Sequence, residues 1–188
     1  ALTFVVMKPA IDLNADLGEG MPTDDMLMPF LSSANIACGY HAGNADTMRR
    51  TVALCVANNI AVGAHPSYAD RAHFGRKEMD LPAAQLYDLI QSQLEIFQKC
   101  CHEMGATMHH VKPHGALYNR SAQSLEVAHT IATAVKAFQP ALLLYGLAGS
   151  ISISAAEGVG LTAVHEFFAD RTYQPDGQLT PRSMPNAL

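Results

Sequence analysis

Six short apolar runs recur along the chain, and each ends at polar or reactive side chains. Together with those ends they cover residues 11–16, 35–41, 60–65, 111–114, 141–145 and 161–166. Patterns typical of helices fill the gaps, the longest over residues 82–104, with Gly105 suited to end it. Strands that alternate with helices predict a mainly parallel sheet with right-handed crossovers.

The distribution of the polar ends distinguishes two parallel architectures. An open doubly wound sheet collects its chemistry in one crevice, whereas a barrel uses the carboxyl ends of many strands. Here nearly every predicted strand ends in polar side chains, so we expect a β/α barrel. Further helices are predicted over residues 46–59, 125–138 and 150–157, and a short one near Thr23.

Composition sets the class of protein. With 188 residues, 49% of them hydrophobic and 15% charged, we expect one folded domain over residues 1–188. A net charge of −5 without a basic block argues against a nucleic acid or an anionic membrane as partner. The apolar stretch at residues 2–7 is short and has no basic start, so we expect no signal peptide and a cytoplasmic location.

The first run carries three polar residues at alternate positions, namely Asp12, Asn14 and Asp16. Alternate residues of an extended strand share a face, so these side chains are expected to point together into a barrel mouth. Three oxygen acceptors on one face suit a metal ion, a substrate amine or a water to be activated.

Histidines and a lysine end the next runs. His41 and His65 follow strands rich in small residues and are candidates to bind a metal, act as a base or hydrogen-bond a substrate carboxylate. His114 is a candidate general acid or base. Lys112 lies at an apolar strand end, where an unpaired charge is disfavoured, so it should meet Asp12, Glu166 or an anionic substrate group.

Arginines supply candidate anion sites. Glu166, Asp170 and Arg171 close the sixth run, and Arg171 suits recognition of a substrate carboxylate unless it pairs with Asp170 within the loop. Arg76 is a second candidate clamp. The sequence holds neither a G-x-x-x-x-G-K-[ST] loop nor G-x-G-x-x-G, so a nucleotide would bind without a standard phosphate loop.

Six segments, in order along nearly the whole chain, resemble the LamB/YcsF family. They are IDLNADLGEG at 11–20, SANIACGYHAG at 33–43, VGAHPS at 62–67, FGR at 74–76, HVKPHGALYN at 110–119 and EFFADR at 166–171. The resemblance implies an irregular β/α barrel of the glycoside hydrolase/deacetylase type. The family continues past a segment like residues 179–183, so we expect the barrel here to lack its C-terminal strand and helix.

The family's members are A subunits of 5-oxoprolinase. The resemblance therefore implies ATP-dependent opening of 5-oxoproline to L-glutamate, with ATP and Mg²⁺ as cofactors and with partner subunits B and C. The expected catalytic residues are Asp12, Asp16, Lys112, His114 and Glu166. The expected substrate-binding residues are Asn14, His41, His65, Arg76, Asp170 and Arg171.

Roles and alternatives follow from side-chain chemistry. Asp12, Asp16 or His114 would activate water, and Lys112 would stabilise developing negative charge. No tightly bound metal is expected for this reaction. One alternative is a metal-dependent hydrolase of the deacetylase type that uses Asp12, His41 and His65 as ligands, and another is a non-catalytic scaffold subunit. The sequence leaves open whether the chain forms a homo-oligomer.

Overall fold

A single parallel sheet of six strands organises the protein, in a computed structural model that describes residues 11–182 and 184–187. The strands are β1 (Asn14–Leu17), β2 (Ser33–Ala37), β3 (Ala61–His65), β4 (Met108–Val111), β5 (Leu143–Leu147) and β6 (Thr162–Glu166). They lie side by side in chain order, without the reversal of strand order that marks a doubly wound sheet. Residues 2–7, for which no signal peptide is expected, lie outside the described part.

The sheet is that of an irregular, incomplete β/α barrel, as predicted. Its edge strands are β1 and β6, and within the described residues they do not pair with each other. Parallel pairing brings all six carboxyl ends to one edge of the sheet, where side chains from distant parts of the chain meet. In these ranges no helix has the length and apolar character needed to cross a membrane.

Six α-helices accompany the strands in the described part of the chain. They are α1 (Asp24–Leu27), α2 (Ala45–Ala57), α3 (Ala83–Glu103), α4 (Gly115–Gln123), α5 (Leu125–Phe138) and α6 (Ile151–Gly158). The sequence pattern does not predict α4, because the polar residues of segment 112–119 resemble a loop that carries the site. The apolar side chain of Leu117 and the ring of Tyr118 are nevertheless buried, and they hold this helix against the rest of the fold.

The longest helix supplies much of the core. Leu86, Ile90, Leu94, Phe97 and Cys101 are at most 2% exposed and form the predicted apolar stripe of α3. This stripe lies on the side of α3 that packs against α5, β3 and β4. Truncation of such a side chain, for example Phe97→Ala, typically costs about 3–5 kcal/mol of stability.

Candidate functional site

A cleft of about 480 Å³ opens at the carboxyl ends of the strands. Side chains from β1, β3, β4 and β6 or from the loops that follow them line it. Among them are Asp16, Glu19, His65, Arg76, Lys112, His114, Phe168 and Arg171. The cleft has the size of ordinary small-molecule sites. Of the predicted site residues it gathers Asp16, His65, Arg76, Lys112, His114 and Arg171.

Lys112 is the centre of a buried ion-pair group in this cleft. Its Nζ lies 2.6 Å from Glu166 Oε1, 3.2 Å from Asp16 Oδ1 and 3.2 Å from Asn14 Oδ1. The side chain is only 4% exposed, and Phe168 covers the ammonium with its ring centroid 4.9 Å away. The predicted pairing of Lys112 with Glu166 is confirmed, while Asp16 occupies the place expected of Asp12.

The charges in this group are mutually stabilised. Burial alone would lower the pKa of Lys112, but Asp16 and Glu166 outweigh it and raise that pKa. Desolvation would raise the pKa of Asp16, but His65 and Lys112 hold it well below its usual range. Lys112 is therefore an ammonium beside an ionised Asp16 at neutral pH, and the Asp16 side chain is 33% exposed.

A tyrosine outside the predicted site completes the group. Tyr118 OH donates a hydrogen bond to Glu166 Oε2 at 2.9 Å. Burial, followed by the charge of Glu166, raises the pKa of Tyr118 well above its ordinary value. The phenol thus stays protonated and holds Glu166 in the position where it accepts from Lys112.

Three histidines and a glutamate form a second cluster beside the first. Glu19 Oε1 lies 3.2 Å from His41 Nε2, 3.3 Å from His114 Nδ1 and 4.0 Å from His65 Nε2. The four ligand atoms lie within 4.8 Å of one another, and the group could hold a metal ion. Burial lowers the pKa values of His41 and His114 to about 3, so these rings are neutral.

The end of one strand and the loops after two others bring the histidines together. His65 is the last residue of β3, His114 follows β4 and precedes α4, and His41 lies on the loop after β2. That loop turns back at Gly43, which has φ +67° and whose added Cβ would overlap the backbone oxygen of Gly18. Only glycine fits there, so the position of His41 depends on a residue two places away.

Asp12 lies at the opposite end of the sheet. It precedes β1 and accepts hydrogen bonds from Ser33 Oγ at 2.7 Å, from Tyr145 OH at 2.8 Å and from Ser32 Oγ. It does not line the cleft. An extended chain rises by about 3.3 Å per residue, so the four-residue step from Asp12 to Asp16 separates them by about 13 Å.

Asn35 links the two ends of the sheet. Its amide nitrogen donates to Asn14 Oδ1 at 2.6 Å and to Asp16 Oδ1 at 2.9 Å, and its Oδ1 accepts from His110 Nε2 at 2.8 Å. The His110 ring in turn stacks on Tyr145 with centroids 4.3 Å apart. His110 is fully buried and has a structural role.

Besides Tyr118, two important residues were absent from the predicted site. Asn35 stands in an apolar run, where a buried amide needs hydrogen-bond partners, and this requirement was the available signal. Glu19 stands in segment 11–20, but it follows β1 by two residues and no strand periodicity marks it. Its pKa is raised by burial and by Asp16, against the lowering effect of His65 and His114.

The candidate anion clamps differ in their surroundings. Arg76 is exposed, lines the cleft and lies over Phe74, with the guanidinium carbon 5.0 Å from the ring centroid. Arg171 also lines the cleft, but its guanidinium donates to Thr180 O at 2.5 Å. Asp170 is exposed, lies outside the cleft lining and makes no ion pair with Arg171 in the part of the chain that the structure describes.

Comparisons with known proteins identify the family of this chain. The LamB/YcsF family model matches residues 11–188. The chain is 50% identical over 187 residues to the 5-oxoprolinase A subunit of Bordetella pertussis, a match that covers 97% of this chain and 74% of that protein. It is 48% identical over 183 residues to the 5-oxoprolinase A subunit of Brevibacillus brevis, covering 95% and 72% respectively.

Solved structures show the same fold. A lactam utilization protein from Thermus thermophilus superposes with a TM-score of 0.89 at 42% identity, covering 94% of this chain and 74% of that one. The carboxyl transferase domain of Rhizobium etli pyruvate carboxylase reaches a TM-score of 0.55 at 11% identity, over 82% and 26%, and shares the fold alone. The chain belongs to the LamB/YcsF family.

Proposed function

We propose that this protein is the A subunit of a 5-oxoprolinase, which opens 5-oxoproline to L-glutamate with hydrolysis of ATP and works together with subunits B and C. The names of the relatives at 48% and 50% identity support the reaction class and the assembly with other subunits. The observation that carries the proposal is the position of Lys112. Its ammonium is held between two carboxylates at the wall of a small polar cleft.

The reaction sets three requirements for such a cleft. A five-membered lactam is a stable amide, so transfer of a phosphoryl group from Mg²⁺–ATP to the amide oxygen would activate its carbon. ADP would leave in that transfer. Water would then add to the carbon, the ring C–N bond would break with a proton delivered to nitrogen, and a second water would hydrolyse the resulting acyl phosphate to the carboxylate and phosphate. The protein needs a group to direct water, a cation for the developing oxyanion and a clamp for the substrate carboxylate.

Asp16 and Lys112 meet the first two requirements. Asp16 is ionised and partly open to the cleft, so it can orient and activate water. Lys112 has three N–H donors and three acceptors, so a substrate oxygen must replace one of them. Asn14 is the neutral acceptor and therefore the least costly to exchange. Glu166, fixed by Tyr118, keeps the ammonium in place.

Arg76 is the preferred clamp for the substrate carboxylate. Its guanidinium stacks on Phe74 and takes part in no ion pair among the described residues, so its donors are available. Arg171 uses donors on backbone carbonyls and is the second choice. Asp12 and Asp170 lie outside the cleft lining and have no role in this proposal.

The test is 5-oxoproline-dependent ATP hydrolysis and glutamate release by the protein combined with subunits B and C. Lys112→Met should lower kcat by about 10²–10³-fold, the usual cost of losing an oxyanion donor. Lys136→Met is the control, since Lys136 is partly exposed, lies outside the cleft lining and donates to Gly160 O at 2.7 Å. Each rate is divided by the concentration of folded protein. This correction is needed because Lys112→Met leaves two carboxylates without their cation and lowers stability.

Two results would contradict the proposal. One is a Lys112→Met protein that folds and retains full activity in the complex. The other is a complex with both partner subunits that neither hydrolyses ATP in response to 5-oxoproline nor releases glutamate.

A further inference from the structure

We infer that Glu19, His41, His65 and His114 form a binding site for one divalent first-row transition metal ion, with Zn²⁺ as the reference ion. The inference concerns metal binding by this chain and does not rest on the proposed reaction. It comes from the direction of the hydrogen bonds around the three rings, which determines where each imidazole keeps its lone pair.

Two of the rings point lone pairs at each other. His65 Nδ1 lies 2.7 Å from Lys112 O, and a carbonyl only accepts, so Nδ1 carries a proton. In the neutral ring, the form that binds a metal, Nε2 then holds the lone pair, and it lies 3.4 Å from Asp16 Oδ2. His114 Nε2 lies 2.9 Å from Phe74 O, so its proton is on Nε2 and its lone pair on Nδ1. These two lone-pair nitrogens are 2.9 Å apart.

The third ring follows the same rule through a serine. Ser67 Oγ donates its proton to Tyr68 O at 2.9 Å, so it accepts from His41 Nδ1 at 2.8 Å. His41 Nε2 is then the lone-pair nitrogen, and it faces Glu19 Oε1 at 3.2 Å. Each ring therefore places an acceptor nitrogen in the same small region beside Glu19 Oε1.

Such a convergence is unfavourable without a cation. With Glu19 ionised and the rings neutral, three lone pairs and a carboxylate oxygen meet in a mostly buried space. A metal ion removes this conflict. A metal-binding histidine usually donates a hydrogen bond from its other ring nitrogen to a carbonyl, carboxylate or water, which fixes the orientation of the ring. The alternative is a proton held within the cluster, either on Glu19 or shared between His65 and His114, and both forms predict no metal uptake.

The distances fit a small ion after a modest adjustment. Bonds of about 2.0–2.1 Å in a tetrahedral zinc site place ligand atoms about 3.3 Å apart. The contacts above range from 2.9 Å to 4.0 Å. The His41 and His114 rings stack nearly parallel with centroids 3.8 Å apart, so coordination by both requires one ring to tilt.

The ligand types select the ion. Three imidazoles and one carboxylate favour Zn²⁺, Co²⁺ or Ni²⁺ over Mg²⁺, which prefers oxygen ligands and keeps its waters. Glu19, His65 and His114 line the cleft, so a bound ion is within reach of molecules in the cleft. The ion would be separate from the Mg²⁺ that accompanies ATP.

The experiment uses the whole chain, freed of metal by a chelator. Zn²⁺ binding is measured by calorimetry and Co²⁺ binding by visible absorption, with excess Mg²⁺ present throughout. We expect one ion per chain, and Co²⁺ bands typical of nitrogen and oxygen ligands in a four- or five-coordinate site. Absence of binding to folded protein would overturn the inference.

Variants locate the site. Glu19→Gln keeps the shape of the side chain, and we expect it to weaken Zn²⁺ binding by at least about tenfold. We expect His114→Gln to weaken Zn²⁺ binding more strongly than Glu19→Gln does. His73→Gln is the matched control, because exposed His73 pairs with Asp70 at 2.7 Å outside the cluster. Binding that survives both cluster variants, or that is lost in the control, would contradict the assignment. Metal binding without oxoprolinase activity would leave this inference intact and refute only the proposed function.

Discussion

Asp12 and Asp16 are the same residue type on the same face of one extended segment, yet their surroundings differ completely. Asp12 is held by three hydroxyl groups at the end of the sheet where β1 begins. Asp16 contacts the Lys112 ammonium and lies 3.4 Å from His65 Nε2 at the opposite end. A carboxylate satisfied by fixed neutral donors stabilises the fold, whereas one paired with a cation at a cleft can exchange partners.

The largest expected effect separates the two carboxylates by activity. Asp16→Asn should lower kcat in the complex with subunits B and C by about 10²–10³-fold, because the cleft loses the carboxylate proposed to activate water. Asp12→Asn should leave kcat of the folded protein within about twofold, since Asp12 does not line the cleft. Equal losses in both variants would show that the two carboxylates do not differ in function.

The next effect tests the packing that joins the two ends of the sheet. A Cβ at Gly63 would overlap the buried ring of His110, which connects Asn35 to Tyr145. Gly63→Ala should therefore lower the free energy of unfolding by about 3 kcal/mol. Gly158→Ala is the control, because a Cβ there meets nothing within 4 Å.

Both glycine variants are compared by urea unfolding followed by circular dichroism. We expect Gly158→Ala to be neutral or slightly stabilising, since Ala has the higher helix propensity. A Gly63→Ala protein as stable as the parent would show that the His110 ring has room to move and that the link between the two ends is loose.

The smallest effect concerns pH. Burial would raise the pKa of Asp12, but hydrogen bonds from Ser32, Ser33 and Tyr145 outweigh it and lower that pKa below its ordinary value of 3.8. A lowered native pKa means that the ionised form stabilises the fold above about pH 4 and that this contribution is lost as pH falls through the native pKa.

Asp12→Asn should therefore be less stable than the parent at neutral pH, by about 1 kcal/mol, with a difference that shrinks on acidification toward about pH 3. The measurement is the free energy of unfolding in urea across that range for both proteins. A difference that is constant with pH would show that the hydrogen bonds to Asp12 do not depend on its charge.

Much of the fold was predictable because its signals are local. The α3 stripe, the order of strands and the burial of Lys112 beside Glu166 all follow from spacing along the chain and from the cost of an unpaired charge. Helix α4 was missed, since its first turn follows His114 directly and the polar segment resembles a loop. The fold class inferred from polar strand ends was right, because parallel pairing collects those ends at one edge.

The site was predictable in part. The two clusters contain seven of the predicted residues, namely Asn14, Asp16, His41, His65, Lys112, His114 and Glu166. Glu19 and Asn35 were missed because their partners come from other strands, up to 95 residues away along the chain for Glu19 and His114 and 75 for Asn35 and His110. No spacing rule within one segment reports such a contact.

By itself, the sequence determined the alternation of strands and helices and the chemical groups that end each strand, because apolar periodicity and the burial of charge are local properties of the chain. Only the tertiary structure decided which groups share a partner. The register of β1 against β2, and the position of Lys112 after β4, place Asp16 against a lysine 96 residues away while Asp12 meets hydroxyl groups. The pairing between strands determines which groups face each residue of β1. It therefore makes Asp12 a structural carboxylate and leaves Asp16 available for chemistry.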